Sequence, residues 1–251
     1  MFPTFRIGTL FGFPIRLHMS FILLLGMAVL FMGGLPGLVV VLMVAGSVLI
    51  HELGHALLAR HLDVPVREIG LHFFGGAAQM VGLPRRPGDE IAIAAAGPAV
   101  SFMLAGLGHG LAAMTGLRMF ALFGWVNLAL GSFNLLPAFP SDGGRILRAW
   151  LARRRGFVLA TELAVTVGRI VCVALILTGL YLGSVQMMLV AVVLWTFGTI
   201  ERTSARLRGD HGAWRAETPR AHAHTDYIPP PAAREGWSIP SDRPHVFVWK
   251  R

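Results

Sequence analysis

Residues 17–50 run for 34 positions without a single Asp, Glu, Lys or Arg. One helix needs about 20 apolar residues to cross a bilayer, so this run is too long for one crossing. Gly33-Gly34-Leu35-Pro36-Gly37 punctuates its middle, and such clusters end helices. Two consecutive membrane helices are predicted, over residues 17–33 and 36–61. No small-residue cleavage site separates them, so the first is expected to be retained rather than removed as a signal peptide.

Composition points the same way. Of 251 residues, 55% are hydrophobic and 14% charged, with a mean hydropathy of +0.64. A soluble domain carries about 25% charged residues, so this chain has too little polar surface for a water-exposed globule. The single cysteine, Cys172, excludes an intrachain disulfide scaffold, and the apolar fraction excludes a disordered regulator. The net charge of +9 is read as arginines retained on the cytoplasmic side of a membrane, and no nucleic-acid partner is expected.

Further uncharged stretches cover residues 91–117, interrupted by Gly97-Pro98, and 119–141, which ends in the irregular string Pro137-Ala138-Phe139-Pro140-Ser141-Asp142-Gly143-Gly144. Two more apolar spans follow at 161–182 and 184–201. Between the second and third spans, residues 64–80 are rich in β-branched and aromatic side chains and broken by Gly75-Gly76, as in two short strands joined by a glycine turn. The expected architecture is an all-α polytopic membrane protein. Six transmembrane helices (17–33, 36–61, 91–115, 119–137, 161–182, 184–201) form a domain over residues 1–201, with a small membrane-edge β-hairpin or sheet between helices 2 and 3. Residues 202–251, with a Pro229-Pro230-Pro231 run, are expected to be a polar cytoplasmic tail. Arginines collect on the side of the N-terminus, whereas the opposite loops hold only Arg118. Both termini are therefore expected in the cytoplasm.

The chemistry centres on His51-Glu52-Leu53-Gly54-His55. Residues i and i+4 lie about 40° apart on a helix, so both imidazoles can meet one cation with Glu52 at their flank. In zincins the two histidines bind zinc and the glutamate acts as general base on the attacking water. A charged Glu at the end of an apolar span is costly unless it is partnered; polar packing between helices is the competing reading. Catalytic zinc takes a third protein ligand, and Asp142 is the candidate, since its segment emerges on the side where span two ends. Alone, Asp142 also suits a turn before Gly143-Gly144. His18, His72 and His109 read as interfacial or packing residues, and Cys172 as a small buried hydrophobe.

Five strings then carry a family resemblance, in order along residues 15–148: Ile15-Arg16-Leu17-His18-Met19-Ser20; Val48-Leu49-Ile50-His51-Glu52-Leu53-Gly54-His55-Ala56; Phe74-Gly75-Gly76-Ala77-Ala78; Ala96-Gly97-Pro98-Ala99; and Phe133-Asn134-Leu135-Leu136-Pro137-Ala138-Phe139-Pro140-Ser141-Asp142-Gly143-Gly144-Arg145. The chain resembles the site-2 protease family of intramembrane zinc metalloproteases, which includes the sporulation-factor protease of bacilli. The resemblance implies one zinc per chain held by His51, His55 and Asp142, with Glu52 as base. It implies that Asn134 holds the substrate backbone or stabilises the oxyanion, with a helix-packing amide as the alternative. Gly75 and Gly76 would belong to an edge strand that pairs with an unwound substrate, or simply form a turn. Implied substrates are single-span transmembrane proteins, among them anti-sigma factors, other membrane-bound regulators and remnant signal peptides, in a bacterial inner membrane.

Two departures are visible. Ser141 stands where the family pattern has Leu before the Asp-Gly pair, and residues 202–251 are too few for the paired CBS domains of many members. A membrane zinc transporter and an inactive protease-like binding protein are the competing functions.

Overall fold

The computed structural model describes residues 4–31, 34–72, 75–80, 84 and 86–209. In chain order it contains β1 (Thr4–Leu10), β2 (Phe13–His18), α1 (Met19–Phe31), α2 (Leu35–His61), β3 (Val66–His72), β4 (Gly75–Met80), α3 (Pro87–Thr115), α4 (Arg118–Asn134), α5 (Asp142–Arg155), α6 (Phe157–Leu182) and α7 (Val185–Arg208). Helix ends follow local chemistry. Pro36 lies in the first turn of α2, where its missing N–H is harmless, and α3 and α6 stop at Gly116 and Gly183, both left-handed. α7 continues to Arg208, into the expected polar tail, and residues 210–251 lie outside the described ones.

α2, α3, α6 and α7, at 24–29 residues, are long and apolar enough to cross a membrane. α1 and α4 have 13 and 17 residues, or roughly 20 and 25 Å at 1.5 Å per residue, short of the ~30 Å hydrocarbon core. Length and composition thus support four spans, against the six expected. α4 ends at Asn134 because the Pro137 to Pro140 stretch cannot continue a helix. The outer surface is apolar: Leu30, Phe31, Met103 and Tyr181 are each at least 75% exposed, as suits side chains that face lipid.

The expected hairpin forms as β3 and β4, paired antiparallel, but it is half of a four-stranded sheet in the order β1-β2-β3-β4. β1 and β2 form an N-terminal hairpin absent from the sequence expectation, and β2 runs parallel to β3. Its turn is Phe11-Gly12, at φ +50° and +87°. Both are positive, as a two-residue hairpin turn of type I′ requires; the more usual Asn-Gly or Asp-Gly signal is missing.

The sheet packs on α2 through Phe13, Ile69, Leu53 and Ala56, all buried. This contact fixes β4 beside the turn of α2 that carries the His-Glu-x-x-His string. α3 packs against α2, α4 and α5, and α7 runs along α6. A buried polar contact joins two helices: Asn127 of α4 donates to the Ser47 hydroxyl of α2 at 3.0 Å. Away from water, such a bond fixes a helix position that apolar contact alone would leave free to slide. At the surface, Arg206 of α7 donates to Glu162 of α6 at 2.7 Å.

Candidate metal centre

His51 and His55 project from one face of α2 toward α3, where Gly97 leaves room for them. A Cβ at Gly97 would lie 2.6 Å from His51 Nε2 and also against the His55 ring. The imidazoles meet edge to face, with centroids 4.8 Å apart, and their Nε2 atoms are 3.2 Å apart. Asp142 comes from the far side of the sequence, as the first residue of α5. Expected in a loop, it is instead placed by a helix N-terminus, where the macrodipole favours a carboxylate. The Ser141 hydroxyl orders the preceding turn, lying 2.6 Å from the Leu136 carbonyl and against that of Ala138. Asp142 Oδ2 is then 3.3 Å from His51 Nε2 and 3.1 Å from His55 Nε2. All three residues are at most 6% exposed.

The other ring nitrogens are spoken for. His55 Nδ1 donates to the Ile93 carbonyl at 2.7 Å; because a carbonyl only accepts, Nδ1 carries a proton. A neutral His55 therefore turns an Nε2 lone pair toward the cluster. His51 Nδ1 bonds the Ser101 hydroxyl at 2.8 Å. Burial alone would raise the Asp142 pKa, but hydrogen bonds with His51 and His55 and the Arg145 charge hold its carboxyl well below the usual carboxylate range. With both Nε2 atoms free of protons, as metal binding requires, two imidazole lone pairs and a carboxylate oxygen converge.

Such a group fits a small divalent ion. Around zinc, ligand atoms at roughly 2.0–2.1 Å sit about 3.3 Å from one another on a tetrahedron, and the three separations here are 3.1, 3.2 and 3.3 Å. A proton shared between His55 and Asp142 would satisfy one of these contacts; a dication satisfies all three. Among the described residues, His51, His55 and Asp142 form the one group of His, Cys, Asp and Glu side chains arranged to hold a metal.

Glu52 is partly exposed beside the histidines, and β4 lies directly on it. A Cβ at Gly76 would be 2.5 Å from Glu52 Cγ and 2.9 Å from Val48 Cγ1, so only glycine lets the strand approach this closely. Gly75 pairs with His72 at the turn end of β4. Asn134, at the end of α4, turns its amide back to donate to the Leu130 carbonyl at 3.0 Å. His109 stacks edge to face on Trp125 at 5.1 Å, a packing role, and Cys172 is buried.

A second polar layer escaped the sequence reading. Glu90 of α3 is fully buried and Arg148 of α5 is 3% exposed; the two are ion-paired, and Arg148 also pairs with Glu201 of α7. The Arg148 guanidinium lies over the Phe157 and Phe139 rings, 5.0 and 5.3 Å from their centroids. Arg145 bridges this layer to the metal group, with Nη1 3.4 Å from Asp142 Oδ1 and Nε 4.0 Å from Glu90 Oε1. Beside it a cavity of about 210 Å³ opens between Pro140, Arg145, Arg148 and Glu201, with room for several waters. Three charges that lie 53 and 58 positions apart in pairs leave no local pattern to read.

The family profile of "Peptidase family M50" matches residues 39–117 and 109–177, a stretch that contains both histidines, Glu52 and Asp142. The zinc metalloprotease MJ0392 of Methanocaldococcus jannaschii is 33% identical over 213 residues, covering 79% of this chain and 60% of that protein. Stage IV sporulation protein FB of Bacillus subtilis is 33% identical over 153 residues, covering 60% of this chain and 52% of that one. The chain therefore spans about half to three-fifths of the length of these relatives. The solved site-2 protease from M. jannaschii superimposes with a TM-score of 0.63 at 31% identity, covering 80% of this chain and 95% of that one. With more than half of its length matched by the family profile and with two histidines and an aspartate meeting at one point, the chain belongs to peptidase family M50.

Proposed function

We propose that this protein is an intramembrane zinc metalloprotease that cleaves single-span membrane substrates within or near the cytosolic end of their transmembrane segments. The observation that carries the reading is the convergence of His51 Nε2, His55 Nε2 and Asp142 Oδ2, with both histidines on the helix that also bears Glu52. In this reading His51, His55 and Asp142 hold one zinc. Zinc, when bound, supplies Lewis acidity that brings the pKa of water to about 7 and polarises a carbonyl. Glu52 takes the proton of the attacking water on a carboxylate oxygen and returns it to the leaving amine. The cavity beside Arg145 supports a water supply to the site. Asn134 is assigned to the substrate backbone or the oxyanion, which requires its amide to leave the Leu130 carbonyl when substrate arrives.

A helical substrate has every amide hydrogen-bonded and must unwind before attack. β4, at the edge of the sheet and in contact with Glu52 through Gly76, suits pairing with the unwound strand. α1 and α4, though short, complete a six-helix membrane domain in this reading, with both termini cytoplasmic in a bacterial inner membrane. Substrate classes are anti-sigma factors, other membrane-bound regulators and remnant signal peptides.

Purified protein is expected to cleave a single-span model substrate, with 1,10-phenanthroline abolishing cleavage, and to leave zinc outside when reconstituted in liposomes. Zinc uptake by the liposomes with the substrate intact would favour a transporter instead.

A further inference from the structure

The contacts that orient the two histidines from behind come from one stripe of α3, and the same stripe reaches Asp142 through one intermediary on α5. His55 Nδ1 meets the Ile93 carbonyl, His51 Nδ1 meets Ser101 Oγ, and both rings lie over Gly97. Asp142 is reached through Arg145, which pairs with Glu90. Positions 90, 93, 97 and 101 are spaced 3, 4 and 4 apart and fall within an arc of about 80° on an α-helix. Glu90 and Ser101 are both 0% exposed, and a buried charge or hydroxyl is retained only where it is partnered. Neither belongs to the His-Glu-x-x-His string or to the aspartate segment.

We infer that this face of α3 is the template of the metal centre, with Ser101 and Glu90 as positioning residues: Ser101 sets the orientation of His51, and Glu90, through Arg145, sets that of Asp142. The inference rests on the zinc-protease reading above. With Arg145 on Oδ1, only Oδ2 of Asp142 is presented to the histidines, so the aspartate acts as a one-oxygen ligand. With Ser101 on Nδ1, the His51 ring cannot turn Nε2 away from the cluster. Partners of this kind change metal affinity or activity by about 10- to 100-fold.

The test uses the full chain in detergent, with zinc affinity measured against a chromophoric chelator and Co²⁺ as a spectroscopic probe. Ser101→Ala is expected to weaken zinc binding at least tenfold and to alter the visible Co²⁺ spectrum. Because a small buried residue is replaced, the isosteric pair Ser101→Thr and Ser101→Val provides a second comparison; the threonine variant, which keeps the hydroxyl, is expected to bind zinc about tenfold more tightly than the valine variant. Ser47→Ala removes another buried hydroxyl, one bonded to Asn127, and is expected to leave zinc affinity unchanged. Glu90→Gln is expected to alter the Co²⁺ spectrum as well. Ser101→Ala with wild-type affinity and spectrum, or Thr and Val variants that bind alike, overturns the role of Ser101; a folded Glu90→Gln with the wild-type spectrum overturns that of Glu90. A wild-type protein that binds no zinc overturns instead the reading on which the inference rests.

Discussion

Glu52→Gln is expected to lower the rate of peptide hydrolysis by roughly 10²- to 10⁴-fold, the range contributed by a positioned general base, while leaving zinc content unchanged. The substitution preserves size and shape beside Gly76 and Val48, so the sheet keeps its seat on α2. It removes the basic oxygen that receives the proton of the attacking water. Glu52 is not among the three residues whose ligand atoms meet, so the metal should remain. Single-turnover cleavage of a model substrate, read together with zinc per chain by elemental analysis, separates the two effects. A glutamine variant that cleaves at the wild-type rate would remove Glu52 from the chemistry, and one that loses its zinc would make it a ligand.

Gly97→Ala is the second large effect. The added methyl would sit 2.6 Å from His51 Nε2 and against the His55 ring, and the backbone that carries it lies on the buried face of α3 with Pro98 next in line. Neither partner can give way cheaply. Overpacking of this kind costs about 1–3 kcal/mol, and a ligand shift near 1 Å can cost about 10²-fold in rate. Activity is therefore expected to fall by about 100-fold or more, with weaker zinc binding. Gly106→Ala, on the same helix where a Cβ meets nothing within 4 Å, is the control and is expected to retain both. Equal loss in the two variants would point to a general weakening of α3 rather than to the rings.

The His-Glu-x-x-His string was legible because its chemistry is local. Two histidines four apart need only a helix to share a face, and 34 uncharged residues leave few alternatives to membrane helices. Asp142 was legible as a candidate because its segment emerges on the side where span two ends, although its setting was not: it was expected in an irregular stretch and begins α5. The four long spans were readable from length and composition, whereas α1 and α4 stop earlier than the apolar runs that contain them, one before residues outside the described set and the other before Pro137. Phe11-Gly12 carries no strong turn signal, so the β1–β2 hairpin was missed. Glu90, Arg148 and Glu201 come from three helices and pair only in the folded chain. Arg148 carries no local signal beyond its positive charge, and Ser101 none beyond its small size in an apolar run; their partners define them, and partners are not a property of the sequence nearby.

The most direct test is the zinc content of purified wild-type protein beside Asp142→Ala. About one zinc per wild-type chain is expected, with the alanine variant losing most of it on dialysis against a weak chelator while remaining folded by circular dichroism. An alanine variant that keeps one zinc per chain with wild-type affinity would show that the carboxylate, although 3.1 Å from His55 Nε2, is not part of the metal site.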